Sequence, residues 1–251
     1  MTKKSIRRTI IVGFLTILAS HVQADETNLS AAHMQSYQAK YTYHLLDDNQ
    51  QQTPAGIWID RLTIKQDQVI RTVTRKPLGA EVDLIRTVAA NRHTLAPVFS
   101  QQRFGPDLQG LLYTEFKSKQ LQQFYLSDVD VSAKQSSTQL ASVPVEVHLQ
   151  GLLAASLPFT EATNITLDGY VMGTNPLNTQ VTFENHGQEV IRIGDQQFTT
   201  WKIVEPKSHW TYWVQRDFPY LVQVTHPMAD GSMSISLISD YSLSFQTIQQ
   251  P

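Results

Sequence analysis

The sequence predicts a mainly β protein: a curved antiparallel sheet forming a barrel or half-barrel, with one short helix around residues 145–156. Three observations predict it. Apolar and polar residues alternate with period two through most of the chain, the pattern of half-buried strands. The strand-like runs recur at short, regular intervals punctuated by Gly, Pro, Asn and Asp, a meander rhythm typical of sandwiches and barrels. Helical periodicity is confined to one segment, where Val145, Leu149, Leu152 and Leu153 share a face, Pro144 opens the turn and Pro158 closes it.

The first residues stand apart from this pattern. Lys3, Lys4, Arg7 and Arg8 precede the apolar run 9–19, and Val22-Gln23-Ala24 has the small-residue spacing of an export cleavage site. The run is about half of the ~20 residues that span a bilayer. A cleaved signal peptide at 1–24 is therefore expected, with no integral membrane segment in the mature chain. The periplasm is the expected location, with secretion beyond the cell as the alternative. Cleavage removes four basic residues and no acidic ones, which leaves 16 Lys+Arg against 22 Asp+Glu, a formal charge of −6. That charge argues against nucleic acid as a partner. There is no Cys, so no disulfide supports the fold and no thiolate binds a metal.

A polar leader is expected at 25–35, followed by a single domain over 36–245. Tyr37, Ala39, Tyr41, Tyr43 and Leu45 alternate with polar residues as the first strand. Residues 57–64 and 68–74 are β-branched strands. Residues 83–90, 97–104, 111–117 and 122–127 continue the rhythm, and 128–143 reads as a long polar loop. After the helix, strands are expected at 166–172, 179–185, 188–193, 197–204, 208–215, 221–225 and 232–239, with a final edge at 241–245. His186-Gly187, Gly194-Asp195 and Ala229-Asp230-Gly231 supply turns between them.

Local catalytic signals are missing. The seven His after the signal segment form neither His-x-His nor His-Glu-x-x-His, so no metal-ligand pair is legible. Gly-x-Ser-x-Gly is absent. Asp128-Val129-Asp130 lacks the Gly and closing Glu of a calcium loop. Glu184 and Glu189 flank a turn as glycosidase carboxylates do, but charged turn flanks are commonplace. No catalytic residue, metal site or cofactor is expected.

The aromatic residues are more informative. Trp201, Trp210, Tyr212, Trp213 and Tyr220 crowd into 201–220. On a strand, Trp210, Tyr212 and Val214 face one way and Trp213 the other. If the sheet curves, one set fills the interior and the other meets a helix or a ligand. Tyr37, Tyr41 and Tyr43 reach the same space from the first strand. The candidate ligand-binding set is therefore Tyr37, Tyr41, Tyr43, Trp201, Trp210, Tyr212 and Trp213, with an apolar small molecule or lipid as partner.

One resemblance runs through 149–238 and more loosely through 37–239. It is carried by Val190-Ile191-Arg192-Ile193, the Gly194-Asp195 turn and Phe198-Thr199-Thr200-Trp201-Lys202-Ile203, then by Tyr212-Trp213-Val214 and Asp217-Phe218-Pro219-Tyr220-Leu221-Val222. These residues resemble an uncharacterised family of exported bacterial periplasmic domains. Gln196-Gln197 stands where that family has a small residue and Gly. The strand pattern is also similar to the periplasmic lipoprotein carriers of the LolA/LolB type. That likeness implies an incomplete β-barrel with an apolar cavity for acyl chains. The uncharacterised family transfers no catalytic residue. Together these features favour a non-catalytic periplasmic protein that binds an apolar or amphipathic, lipid-like ligand in a curved sheet. The alternatives are an envelope structural or assembly factor acting by protein contact, and, least favoured, an exported hydrolase with a dispersed site.

Overall fold

The computed structural model describes residues 29–243 apart from 48, 50, 127–133, 159–163, 173–178 and 229–230. The expected signal segment, the acidic turn at Asp128–Asp130 and most of the turn at 229–231 lie outside the described residues. No helix among the described residues is long and apolar enough to cross a membrane.

The strands form one sheet. The first half supplies β1 (Tyr37–Leu46), β2 (Gln52–Lys65), β3 (Gln68–Pro77), β4 (Leu84–Asn91), β5 (Pro97–Phe104), β6 (Gly110–Lys117), β7 (Gln120–Leu126) and β8 (Lys134–Gln139). The short β9 (Val145–Glu146), a 3-10 turn at Val147–Leu149 and α1 (Gln150–Ala155) follow. The second half supplies β10 (Asn164–Tyr170), β11 (Thr179–Ile193), β12 (Gln196–Glu205), β13 (Trp210–Val214), β14 (Leu221–Pro227) and β15 (Met233–Leu243). The spatial order is β8-β7-β6-β5-β4-β3-β2-β1-β15-β14-β13-β12-β11-β10-β9. Two meanders therefore meet where β15 pairs antiparallel with β1. Every ladder is antiparallel except β9 with β10.

This single curved sheet is not closed, a half-barrel, as the period-two pattern predicts. Its curl is read from α1. The helix packs against β13 and β14 on one flank. The carbonyls of His148 and Leu149, just before it, accept from Arg71 Nη1 of β3 on the other, at 3.2 and 3.0 Å. The sheet therefore wraps around α1. A six-residue helix is unstable alone, so burial must hold it. Leu149, Leu152, Leu153, Ala154 and Ala155 are all at most 2% exposed, and each buried Leu contributes roughly 1.5–3 kcal/mol. Gly151 permits the close approach: a Cβ there would meet Leu221 Cδ2 at 2.7 Å.

The far end of the sheet also folds back. Tyr170 at the end of β10 bonds Thr114 of β6 at 2.8 Å and accepts from Gln123 of β7 at 2.9 Å. With Phe116, Leu121, Leu140 and Met172 it forms a second small core. Side chains thus bridge one end of the opening where no backbone ladder occurs among the described residues.

Four expectations are corrected. The helix expected over 145–156 is shorter, because Val145 and Glu146 pair with Gly169 and Tyr170 as β9, and Glu146 then caps the 3-10 turn by accepting from His148 N at 2.7 Å. The polar loop expected at 128–143 contains β8, whose residues are almost all exposed; an edge strand wet on both faces shows no apolar alternation. The turn expected at His186-Gly187 is a bulge within the 15-residue β11, where Asn185 Oδ1 accepts from Gly187 N at 2.9 Å. The expected leader at 25–35 is not merely polar, since Leu29, Ala31 and Met34 are at most 1% exposed. Arg92 Nη2 fixes that segment by donating to Ala32 O at 2.6 Å and Met34 O at 2.9 Å.

Candidate functional site

Directly opposed residues of a ladder share a face, so register reads the inner surface in rows. One row runs Tyr37, Leu62, Arg71, Val88, Ser100 and Thr114 across β1 to β6. All six are buried. The next row runs Ala39, Asp60, Val73, Arg86, Gln102, Leu112 and Tyr125. Its first two members are buried and the other five only half-buried. The third row runs Tyr41, Trp58, Arg75, Leu84 and Phe104. There only Tyr41 is buried, and the Arg75 side chain is 45% exposed. The inner face is thus packed along the first row and only partly covered over β3–β7 along the next two, and that partly covered face is termed the trough.

Charge follows the same gradient. In the packed region Arg71 is 4% exposed and Asp60 not at all. Arg71 Nε donates to Asp60 Oδ1 at 3.0 Å and Nη2 to Oδ2 at 2.8 Å, and Tyr37 OH donates to Oδ2 at 3.2 Å. Burial by itself would pull the Arg71 pKa down; the charge and hydrogen bonds of Asp60 overrule it and raise it. This pair ties the sheet to the carbonyls preceding α1. In the trough Arg75 is held by Asp83 through bonds of 3.0 and 2.8 Å. Arg86 has only the neutral amide of Gln102, whose Oε1 accepts from Nε at 2.9 Å and Nη2 at 2.7 Å. Its pKa is lowered to about 10, first by burial and then by Arg71 and Arg75, against the opposing field of Glu146.

Aromatic rings line this trough. Phe104 lies over Gly110, where a Cβ would strike the ring at 2.7 Å, and stacks on Tyr125 with centroids 6.4 Å apart. Trp58 packs on Tyr41 at 4.8 Å, and its buried Nε1 has no hydrogen-bond partner. On the facing flank, Trp210 of β13 stacks on His226 of β14 at 4.1 Å. Burial, with the charge of Arg75, lowers the His226 pKa to about 4.

The seven residues singled out from sequence divide into three groups. Tyr37, Tyr41 and Tyr212 are core residues, at most 3% exposed; Tyr41 OH donates to Leu221 O at 2.7 Å, joining β1 to β14. Trp201 is half-buried against the same core. Tyr43 and Trp210 are half-buried, toward the open end of the inner face. Trp213 belongs to neither apolar cluster, although it is 8% exposed. Its indole Nε1 donates to Glu189, and Lys202 Nζ lies 5.5 Å from the ring centroid. It occupies the outer face, as alternation predicts, sealed by a cation and a carboxylate. The structure therefore does not gather the seven into one site. Sequence reasoning missed Trp58, Arg86, Phe104, Leu112 and Tyr125. One signal was present: Leu84, Arg86, Val88 and Ala90 share one face of their strand, so Arg86 is a charge on an otherwise apolar face.

Among the described residues, the remaining polar groups form no catalytic arrangement. Glu146, fully buried, holds His148 Nδ1 at 2.8 Å, but no hydroxyl is hydrogen-bonded to His148 among the described residues. Glu184 contacts His186 at 3.3 Å while Glu189 takes the Trp213 indole, so the two carboxylates have separate partners. No group of three or more His, Asp or Glu able to hold a metal occurs among the described residues. A cleft of about 180 Å³ beside Thr94, Val143 and Leu167 is smaller than the ~300 Å³ at which ligand pockets usually begin. No protein-family model and no curated protein matches the chain.

Proposed function

We propose that this is a non-catalytic exported protein of the periplasm that binds an amphipathic, lipid-like ligand on the open part of its inner face. One observation carries the reading. The first inner row is buried from Tyr37 to Thr114, yet Val73, Leu84, Phe104, Leu112 and Tyr125 of the next two remain half-exposed on the same face. An inward apolar surface left wet is costly, and an acyl chain lying in the trough would remove that cost. The helix α1 occupies the rest of the interior, so the ligand lies beside it rather than in a closed cavity. The test is native mass spectrometry of protein purified from its own periplasm, joined to tryptophan fluorescence against a lipid panel. A bound mass and a Trp58-dependent fluorescence response are expected. A bare mass with no response to any lipid would overturn the reading.

A second reading has its own observation. On the side of β11 away from β12, no ladder to residues 190–193 occurs among the described residues. Val190 in this stretch is 61% exposed. Such an edge suits strand addition by an envelope protein. Cross-linking from position 190 in cells distinguishes it: a protein adduct supports assembly by contact, and recovery of the monomer alone counts against it.

A further inference from the structure

Building on the ligand reading above, we infer that Arg86 is the recognition group for an anionic head, a carboxylate or a phosphate, on the amphiphile that fills the trough.

The argument begins with what Arg86 lacks. On β2 to β4 the inner rows carry the charges of Asp60, Arg71, Arg75 and Arg86. Arg71 is neutralised by Asp60 at 2.8 Å and Arg75 by Asp83 at 2.8 Å. Arg86 makes no ion pair among the described residues. The carboxylate whose field reaches it is Glu146, and both Glu146 oxygens are engaged by His148, through its backbone N and Nδ1. Gln102 takes two of the five guanidinium N–H donors through one neutral oxygen. A half-buried guanidinium without an ion-pair contact is unfavourable, and its lowered pKa reflects burial that the field of Glu146 only partly offsets. The fold keeps it there, on the inner face, with donors left over.

The surroundings define the partner. Along the Arg86 row, Leu112 and Tyr125 follow Gln102, and Lys134 of β8 stands next at the exposed rim. One row toward the open end lie Leu84 and Phe104. Basic groups beside apolar ones, on a chain with 22 acidic and 20 basic residues, match a molecule that is anionic at one end and apolar at the other. A neutral lipid would leave Arg86 desolvated and unpaired, so the site discriminates by charge as well as by hydrophobicity. A planar guanidinium favours two-oxygen anions, which carboxylate and phosphate both supply.

The experiment uses protein purified from cells expressing the full chain, as wild type and as Arg86→Gln. Binding of dodecanoate, dodecyl phosphate, dodecanol and inorganic phosphate is followed by tryptophan fluorescence and native mass spectrometry. Wild type is expected to prefer an anionic amphiphile over dodecanol, and Arg86→Gln to weaken that ligand by roughly tenfold or more while leaving dodecanol within about twofold. The ratio of dodecanoate to dodecyl phosphate assigns the head group. Saturation by inorganic phosphate alone, with no benefit from the chain, would keep Arg86 as an anion site but remove the amphiphile. Equal binding of anionic and neutral chains by both proteins overturns the charge inference and leaves the ligand reading intact. No binding of any chain by wild type overturns both. Thermal unfolding supplies a structural control: Arg86→Gln is expected to keep or raise the Tm, because it removes an unpaired charge. A clear fall in Tm would assign Arg86 a structural role and defeat the inference.

Discussion

At the packed end of the inner face Arg71 has a carboxylate and two carbonyls; in the trough, one row away by register, Arg86 has one side-chain amide. The two arginines lie on neighbouring strands of one sheet and face the same interior. Their difference separates a charge that holds the fold together from a charge the fold leaves available. The packed end is crowded by α1 and its leucines. The trough keeps aromatic rings half-exposed, and the buried Trp58 Nε1 has no hydrogen-bond partner among the described residues.

Breaking the packed end should produce the largest effect. Arg71→Leu leaves Asp60 buried without its partner and is expected to cost about 3–5 kcal/mol in urea unfolding. The double variant Asp60→Leu/Arg71→Leu should recover most of that loss, since a buried pair is often replaceable by apolar groups of similar volume. A loss below about 1 kcal/mol for Arg71→Leu would show that the pair does not secure α1.

The outer face sharpens the contrast. Trp213→Ala removes a ring packed between Glu189 and Lys202 and is expected to cost roughly 2–3 kcal/mol, with ligand affinity unchanged. Lost affinity at retained stability would move the site to the outer face. Gly151→Ala drives a methyl into Leu221 and should cost about 1–2 kcal/mol. Leu221→Ala in the same chain should relieve part of that overpacking, a coupling that a double-mutant cycle detects.

The smallest effect concerns pH. The folded His226 pKa lies near 4, below the ordinary value of 6.5. Between those values the unfolded chain binds more protons than the folded one. The stabilising contribution of neutral His226 is therefore present above about pH 6.5 and is lost as pH falls toward 4. For a half-buried ring this amounts to about 1–2 kcal/mol. His226→Phe should flatten that part of the unfolding-versus-pH curve, and an unchanged acid slope would refute the assignment.

Much of the architecture was legible from period-two alternation. β1, with Tyr37, Ala39 and Tyr41 inward, is predicted by it, and so is the outward Trp213 between Tyr212 and Val214. Where a strand has no buried face the signal vanishes, as in β8. Where a strand continues through a bulge, a turn-like pair such as His186-Gly187 is misleading. The aromatic candidates were chosen by density, and density does not separate core from lining: Tyr41 and Tyr43 share one face of β1, yet Tyr41 is buried against Trp58 and Leu221 while Tyr43 is half-exposed.

The sequence by itself determined that the chain is an alternating β meander with one short helix, because side-chain direction along a strand is a local property. Only the tertiary structure decided which inward charges are neutralised. Pairing depends on residues brought together across the sheet: Asp60 against Arg71 on the adjacent strand, the carbonyls before α1 against Arg71 from across the interior, and no ion-pair contact to Arg86 among the described residues. Whether an inward arginine serves as a structural tie or an available cation is fixed by its long-range partners, and strand periodicity carries no record of them.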